Sequence, residues 1–568
     1  MTASAAHPAA AADRVLSIDV GTQSARALLF DPTGHLVAGA RVPFEPYVSP
    51  RPGWAEQDPE VWWSAIVTAC RRLWADPAAG PRDAIAGLAL TTQRGTVVVS
   101  DATGRPLRPA IVWLDQRRTE GLRPIGGPTG AAFRLLGVRD TVAAFQADAE
   151  ANWIARHEPD VWSRVTRYGL LSAWLSDRLV GRWADSSACQ VGYLPFDFKR
   201  GTWAAEGDWK WRVAPFRAET LPELVAPTGR LGELTAEAAE ALGLPRGLPV
   251  VAAAADKACE VLGSGALDPS IAALSYGTTA TVNTTLRRYV EVVPLVPPYP
   301  AALPGAYSLE VQVYRGYWLV EWFKRQFGDR EVARAAAGVA GTASGGAAGA
   351  GEAAGAGEAS DAGTASDAGG ASGAGPTVEP EALFEELLAA TPPGAMGLVL
   401  QPTWSPGVRI PGPEAKGAII GFGDVHSRAH LYRAILEGLA YALREGLERT
   451  ERRAGVSIRE VRVAGGGSRS LAALQLTADV FGRPAARPAC PEASGLGAAI
   501  VAAIGLGIHP SAEAAVAAMT RVRETRDPEP AAAATYDALY RRVYRRIYPA
   551  LRPLYEEIQA ITGYPPPL

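Results

Sequence analysis

The stretch Val15-Leu16-Ser17-Ile18-Asp19-Val20-Gly21-Thr22-Gln23-Ser24-Ala25-Arg26-Ala27-Leu28-Leu29-Phe30 reads as two apolar strands, Val15 to Ile18 and Ala27 to Phe30, joined by a polar turn. A glycine there lets the backbone approach a phosphate closely, and the threonine hydroxyl and turn N–H groups can donate to its oxygens. The device recurs, since Ala272 to Val282 reads as a strand pair around Gly277-Thr278-Thr279. A third turn, Gly465-Gly466-Gly467, follows a strand at Val461 to Ala464 and precedes Leu471, Leu474, Ala478 and Phe481 at helical spacing. One Gly-Thr turn only reverses a chain. Two of them, one in each half, with a triple-glycine strand-to-helix turn, point to a nucleotide clamped between domains.

Outward from these turns, strand-like and helix-like segments alternate, which is α/β patterning. Asp58-Pro59-Glu60 has the form of an N-cap, a first-turn proline and an early acid. Trp62, Ile66, Ala69 and Leu73 follow at helical spacing. Ile85 to Thr91 and Val97 to Val99 read as further strands, and Pro249 to Ala255 as an apolar strand leading into Asp256 and a small-residue helix through Gly263. Tyr536 to Ile561 reads as an amphipathic closing helix. The stretch 335–376 is almost wholly Ala, Gly, Ser, Thr, Asp and Glu, with Val339 its one branched aliphatic side chain. It cannot bury enough surface to offset the cost of ordering, and reads as a flexible acidic insertion.

Several function classes are excluded by composition. At 568 residues the chain exceeds what one core supports, so two or more domains are expected. Lys plus Arg number 56 against 59 Asp plus Glu, a balance that offers no field to nucleic acid or an anionic membrane. No apolar run approaches the roughly 18 residues of a spanning helix. Met1 to Ala12 lacks the basic start and apolar stretch of a signal peptide and reads as a frayed tail. Cys70, Cys189, Cys259 and Cys490 lie far apart with no metal spacing, as buried thiols in a reducing, cytoplasmic setting would. GxxxxGK[ST] and GxGxxG are both absent, so neither a P-loop nor the usual dinucleotide fingerprint is present. His426 and His430 have the spacing of helical metal ligands without an acidic partner, and metal binding is not expected there.

Asp19-Val20-Gly21-Thr22-Gln23-Ser24 with Arg26, Thr92-Gln93-Arg94, Trp113-Leu114-Asp115-Gln116-Arg117, Asp256, Ser275-Tyr276-Gly277-Thr278-Thr279 and Ala464-Gly465-Gly466-Gly467-Ser468 stand in the order seen in FGGY carbohydrate kinases. Gly417-Ala418-Ile419-Ile420-Gly421-Phe422, with His430-Leu431 and Ala434 to Glu437 after it, resembles that family's C-terminal signature. The resemblance implies two actin-like, ribonuclease H-like α/β domains with an interdomain cleft. The chain then divides into a disordered tail (1–13), a sugar-binding domain (14–264), an ATP-binding domain (265–510) interrupted by 335–376, and a helical extension (511–568). Asp19 would position Mg²⁺, with Asp256 beside it. Gly21, Thr22, Gln23 and Arg26 would face the transferring phosphate, Gly277, Thr278 and Thr279 would hold the nucleotide's phosphates, and Gly465, Gly466 and Gly467 would flank the adenosine.

Phosphoryl transfer needs an in-line hydroxyl, neutralised phosphate charge and a dry site. Asp256 matches the family's general base; an Asp opening a helix is otherwise an N-cap, and it could do both. Gln93, Arg94, Trp113 and Asp115 match positions lining the sugar pocket, although most of the 15 Trp must be packing residues. Two departures matter. Glycerol kinases carry Glu after the Gln-Arg pair where this chain has Gly95, which argues against glycerol. They carry Gln after the catalytic Asp, where this chain has Lys257, a cation that suits a sugar carboxylate or a pairing with Asp256 or Asp115. The expected activity is ATP- and Mg²⁺-dependent phosphorylation of a sugar, polyol or sugar acid. A non-kinase actin-like ATPase switch and a catalytically silent sugar sensor are the rival readings. The expected partner is a small carbohydrate, with no nucleic acid and no membrane, and a homodimer is the assembly considered.

Overall fold

The computed structural model describes residues 12–293, 296–336, 380–404 and 411–564. Most of the expected tail and insertion, residues 1–11 and 337–376, therefore lies outside the described residues.

Two sheets carry the molecule, and they repeat one topology. In the first, the strands run Leu36–Pro43, Ser24–Phe30, Arg14–Val20, Ile85–Thr92, Pro249–Ala252, Arg230–Glu233. Successive neighbours pair antiparallel, antiparallel, parallel, parallel and antiparallel. In the second, Tyr307–Val313, Ala280–Leu286, Ile271–Tyr276, Glu460–Ala464, Ala485–Pro488 and Val522–Arg526 follow the same sequence of directions. Tyr299–Pro300 adds a short edge to it. The central strands are buried along their length and read as apolar runs because helices cover their faces.

The helix Pro59–Ala75 forms as its sequence dictates. Asp58 accepts from the Glu60 N–H at 3.0 Å, Pro59 takes the first turn, and Trp62, Ile66, Ala69 and Leu73 are buried against the first sheet. The apolar strand leading to Asp256 is shorter than expected, ending at Ala252. The reason is local: the carbonyls of Ala253 and Ala254 accept from Ser186 Oγ (2.5 Å) and Thr91 Oγ1 (2.8 Å) rather than from a neighbouring strand. The next helix, Asp256–Gly263, packs between the halves against Ala493–Gly505. The crossing is set by glycine. A Cβ on Gly263 would lie 1.9 Å from the Ala493 carbonyl oxygen, and one on Gly497 would lie 1.8 Å from that of Cys259.

A smaller sheet of Glu56–Gln57, Ala110–Ile111, Val97–Ser100 and Arg167–Leu170, with short helices between Gly127 and Arg164, forms a tryptophan-rich side lobe. The closing helix is not one rod. It runs Pro530–Leu539, widens to a π-turn at Tyr540–Tyr544 and resumes as Arg545–Thr562. Pro549 lies just beyond the wide turn, where its missing N–H and its ring break the regular ladder at Arg545. Among the described residues no helix is long and apolar enough to cross a membrane, and all four cysteines are unpaired.

Candidate active site

The first hairpin turn is built around a buried ion pair. Asp19 stands opposite Arg26 in the strand register, so their side chains share one face and meet. Arg26 Nη1 donates to Asp19 Oδ2 at 2.7 Å, and its Nε lies 3.3 Å from Glu492 Oε2, at the start of the helix Ala493–Gly505. Burial pushes the Asp19 carboxyl up to about 6; Arg26 draws it down, while the carboxylates of Asp256 and Glu492 add to the rise. The Gly21 N–H closes the turn on the Ser24 carbonyl at 3.0 Å. Gly21 and Thr22 are half-buried beside it and Gln23 is exposed.

The second turn, Ser275 to Thr279, carries no charge of its own. The Gly277 carbonyl accepts from the Tyr317 N–H at 3.0 Å, and Thr279 Oγ1 donates to the Tyr314 carbonyl at 3.2 Å. Thr278 is exposed. The triple-glycine turn lies against this one. Gly465 has φ +84°, and a Cβ on it would sit 2.9 Å from the Tyr276 carbonyl oxygen; one on Gly467 would sit 2.3 Å from the Tyr317 ring. Gly466 faces open space. The Tyr276 and Tyr317 rings stack at 4.5 Å beneath.

Asp256 is the first residue of its helix, and Ala255 occupies the cap position. The expected N-cap role is thus absent. Instead Oδ1 accepts from the Lys257 N–H at 2.7 Å. Burial pushes the Asp256 carboxyl up against the pull of Lys257 and Arg94, and its charge acts on Asp19. Lys257 reaches neither Asp256 nor Asp115 with its ammonium. Nζ donates to Glu260 Oε2 (2.7 Å) and Ser275 Oγ (2.5 Å), which places it beneath the second turn.

Four residues were expected to line a sugar pocket; two of them, Gln93 and Trp113, bond to the first turn and the strand before it, and a third, Arg94, reaches to the second half. Gln93 follows the strand Ile85–Thr92; its N–H donates to the Val20 carbonyl at 2.8 Å, while both polar ends of its side chain are buried without a partner among the described residues. A buried amide with nothing to bond is costly unless a ligand completes it. Trp113 is 37% exposed, and its Nε1–H donates to Thr22 Oγ1 at 3.2 Å. Arg94 Nη2 donates to Glu310 Oε1 at 2.9 Å, and its guanidinium lies 4.6 Å over the Tyr299 ring.

Asp115 departs from its expected role. Oδ2 accepts from the Ala55 N–H (2.6 Å) and Arg117 Nη2 (2.7 Å), and Oδ1 from the Arg117 N–H and Nε (2.8 Å each). With its side chain 3% exposed, both oxygens are committed to fixing the loop that presents Trp113. The residues that sequence reasoning missed are Glu492, Glu310, Tyr299 and Glu260. The first three act on partners hundreds of positions away, which no local spacing signals. Glu260 lies one helical turn beyond Lys257, a spacing that does predict a pair. His430, whose spacing from His426 drew notice, uses Nδ1 to accept from the Ser427 N–H at 3.1 Å and caps the helix Arg428–Ala454.

Two family models match the chain. The N-terminal domain of the FGGY family of carbohydrate kinases covers residues 14–263 and its C-terminal domain residues 272–506. This chain belongs to the FGGY family of carbohydrate kinases. It is 30% identical to a glycerol kinase of Ralstonia nicotianae over 90% of this chain and 94% of that protein. It is 27% identical to a xylulose kinase of Lactococcus lactis over 93% of this chain and 95% of the relative. The crystal structure of xylulose kinase from Rhodospirillum rubrum superimposes with a TM-score of 0.74 at 26% identity, over 96% of this chain and all of that one (100%). The two-domain α/β architecture and interdomain cleft are those of FGGY kinases, and the chain is a phosphotransferase acting on an alcohol group.

Proposed function

We propose that this kinase transfers the γ-phosphate of ATP to a hydroxyl of a sugar, polyol or sugar acid, with Asp256 as general base. The observation that carries this reading is the placement of Asp256: its carboxylate feels both Asp19 at the first turn and Arg94 at the pocket wall. A base must stand within reach of both the acceptor hydroxyl and the phosphate, and few positions in a two-domain protein do.

The roles follow from chemistry. The sugar rests on the exposed face of Trp113, with the unpartnered Gln93 amide and the Arg94 fork binding its hydroxyls. Asp256 takes the proton of the acceptor hydroxyl as that oxygen bonds to the γ-phosphorus; the bond to the bridging oxygen breaks and ADP leaves. The glycine turns at Gly21, Thr22 and Gln23 and at Gly277, Thr278 and Thr279 offer N–H and hydroxyl donors to the phosphates. Gly465, Gly466 and Gly467 flank the adenosine, where open space at Gly466 suits a flat ring system. Arg26 faces the phosphate being transferred.

The donor set fits Mg²⁺ carried in with ATP. Asp19, Asp256, Glu260, Glu310 and Glu492 put five carboxylates around three cations, Arg26, Arg94 and Lys257. Such a site would repel a nucleotide without a divalent ion to offset it. Asp19, with Asp256 nearby, would hold the ion, which supplies charge neutralisation on the phosphates. Among the described residues there is no cage of three or more His, Cys, Asp or Glu, and an ion that keeps waters and phosphate oxygens as ligands needs none.

Relatives named glycerol kinase and xylulose kinase match almost equally, so identity does not select the acceptor. Gly95 argues against glycerol, and Lys257, turned toward Ser275, gives no support to a sugar carboxylate. Four unpaired thiols suit a reducing, cytoplasmic setting. The test is ADP release from Mg-ATP against a panel of ketoses, aldoses, polyols and aldonates, beside an Asp256→Asn control. Release that requires one compound and vanishes in the control is expected. Release independent of any compound and surviving in the control would point to an ATP switch instead.

A further inference from the structure

Lys257 has no part in the roles above. Its ammonium donates to Glu260 Oε2 and to Ser275 Oγ, and Ser275 Oγ in turn donates to Glu260 Oε1 at 3.0 Å, closing a triangle. The corner at Ser275 is informative. Ser275 stands two residues before Gly277, as Asp19 stands two before Gly21, each on the central strand of its sheet. Asp19 therefore meets Arg26 where Ser275 meets Lys257. One cation lies under each turn, but the second is brought across by the helix that begins at Asp256.

Nζ also stands at the glycine turn. A Cβ on Gly277 would lie 3.5 Å from the Thr279 carbonyl oxygen, 3.8 Å from Ser275 Oγ and 3.9 Å from Lys257 Nζ, so the ammonium and the serine hydroxyl border the side of the turn that glycine leaves bare. An ammonium carries three donors, and two of them reach Glu260 Oε2 and Ser275 Oγ. A lysine is a compact cation on a flexible stem. It can keep Ser275 while exchanging Glu260 for a phosphate oxygen.

We propose that Lys257 is a γ-phosphate-binding cation of this kinase, held at rest by Glu260 and Ser275 and recruited to the terminal phosphate when ATP binds. The inference rests on the kinase reading of the cleft. It moves Lys257 from the sugar side, where the sequence placed it, to the nucleotide side. Its adjacency to Asp256 then gives the base and the phosphate cation one rigid helix start, so that both reach the reacting atoms together.

The measurement is equilibrium binding of Mg-ADP and of the Mg complex of the non-hydrolysable β,γ-imido analogue of ATP, by calorimetry, without sugar and without turnover. Lys257→Met is expected to weaken the imido analogue about tenfold while leaving ADP within about twofold, because the lost charge-assisted contact belongs to the third phosphate. Lys257→Arg should keep most of the preference. Because Lys257→Met strands a buried Glu260, the double variant Lys257→Met/Glu260→Gln is run beside it and should show the same selective loss. Equal weakening of both nucleotides, or of neither, overturns the proposal. So does a change in KM for the sugar, or in preference between aldonates and neutral sugars, with KM for ATP preserved, which would return Lys257 to the sugar. Wild-type protein that binds neither nucleotide would overturn this proposal and the kinase reading together.

Discussion

The two hairpin turns share a backbone and differ in charge. Asp19-Val20-Gly21-Thr22 and Ser275-Tyr276-Gly277-Thr278 sit at the same place in the same sheet topology. The first is framed by Asp19, Arg26 and Glu492, whereas the second offers hydroxyls and N–H groups over a lysine borrowed from the other half. The repeated scaffold supplies shape twice, and the residue two places before the glycine decides what that shape does. A carboxylate makes a place for a cation and for charge development. A serine makes a neutral cradle. The chemistry is therefore expected to be concentrated at the first turn and Asp256, with the second turn governing nucleotide affinity.

The largest effect that would sharpen this contrast is at Asp256, which lies on the charged side. Asp256→Asn should cut kcat by about 10²–10⁴ while nucleotide affinity holds. A loss confined to KM for ATP would break the division of labour. The next effect is a pH dependence that only the charged turn can generate. Asp19 is raised to about 6, so activity that needs its ionised form should fall about tenfold per pH unit below that value. The stability term has the opposite sign. A carboxyl whose folded pKa exceeds its ordinary 3.8 favours folding at low pH, and that contribution is lost as pH rises from about 4 to 6. Between pH 7 and 5, kcat/KM for ATP should therefore drop without a drop in stability from this group. A flat rate profile over that range would remove Asp19 from the reaction.

The turns themselves were legible because their signals are local. Gly-Thr between two apolar runs predicts a hairpin, and Asp58-Pro59-Glu60 predicts a helix start, each from a few adjacent residues. The early end of the strand before Asp256 was not legible, since Thr91 and Ser186 hydroxyls take its last carbonyls from far along the chain. The weakly periodic helices Gly127–Leu135 and Arg139–Asp148 gave no sequence reading either. At the site, residue types were readable but commitments were not. Asp115 and Gln93 stood equally as pocket candidates. Only the fold reveals that Arg117 and the Ala55 N–H consume the first, while the side-chain amide of the second is buried without a partner among the described residues.

The tie between the halves tests the contrast at lower amplitude. Arg94, on the first half, is gripped by Glu310, whose side chain is 1% exposed on a strand of the second sheet. Glu310→Gln keeps an acceptor but removes the charge, and hydrogen bonds to charged groups are worth roughly 1.5–3 kcal/mol. Because glutamine retains part of that bond, KM for the sugar should rise about five- to tenfold with KM for ATP unchanged. A rise in both would mean that the pair sets domain closure as a whole rather than the pocket wall.

The smallest effect is expected where neither turn is touched. The stretch 337–376 is bracketed by the helices Asp329–Ala336 and Pro380–Ala389, and Arg334 Nη1 on the first meets Glu386 Oε2 on the second at 2.9 Å. The two flanks are thus already held together by the fold, so a short Gly-Ser linker can replace the segment without pulling on either helix. Loop-closure entropy changes only slowly with length, so shortening the connection costs little. Both catalytic turns and the Asp256 helix lie on other elements. Replacing 337–376 by such a linker should leave kcat and both KM values within about twofold. A large fall in turnover with the fold preserved would show that the segment reaches the cleft and that the two turns are not the whole of the site.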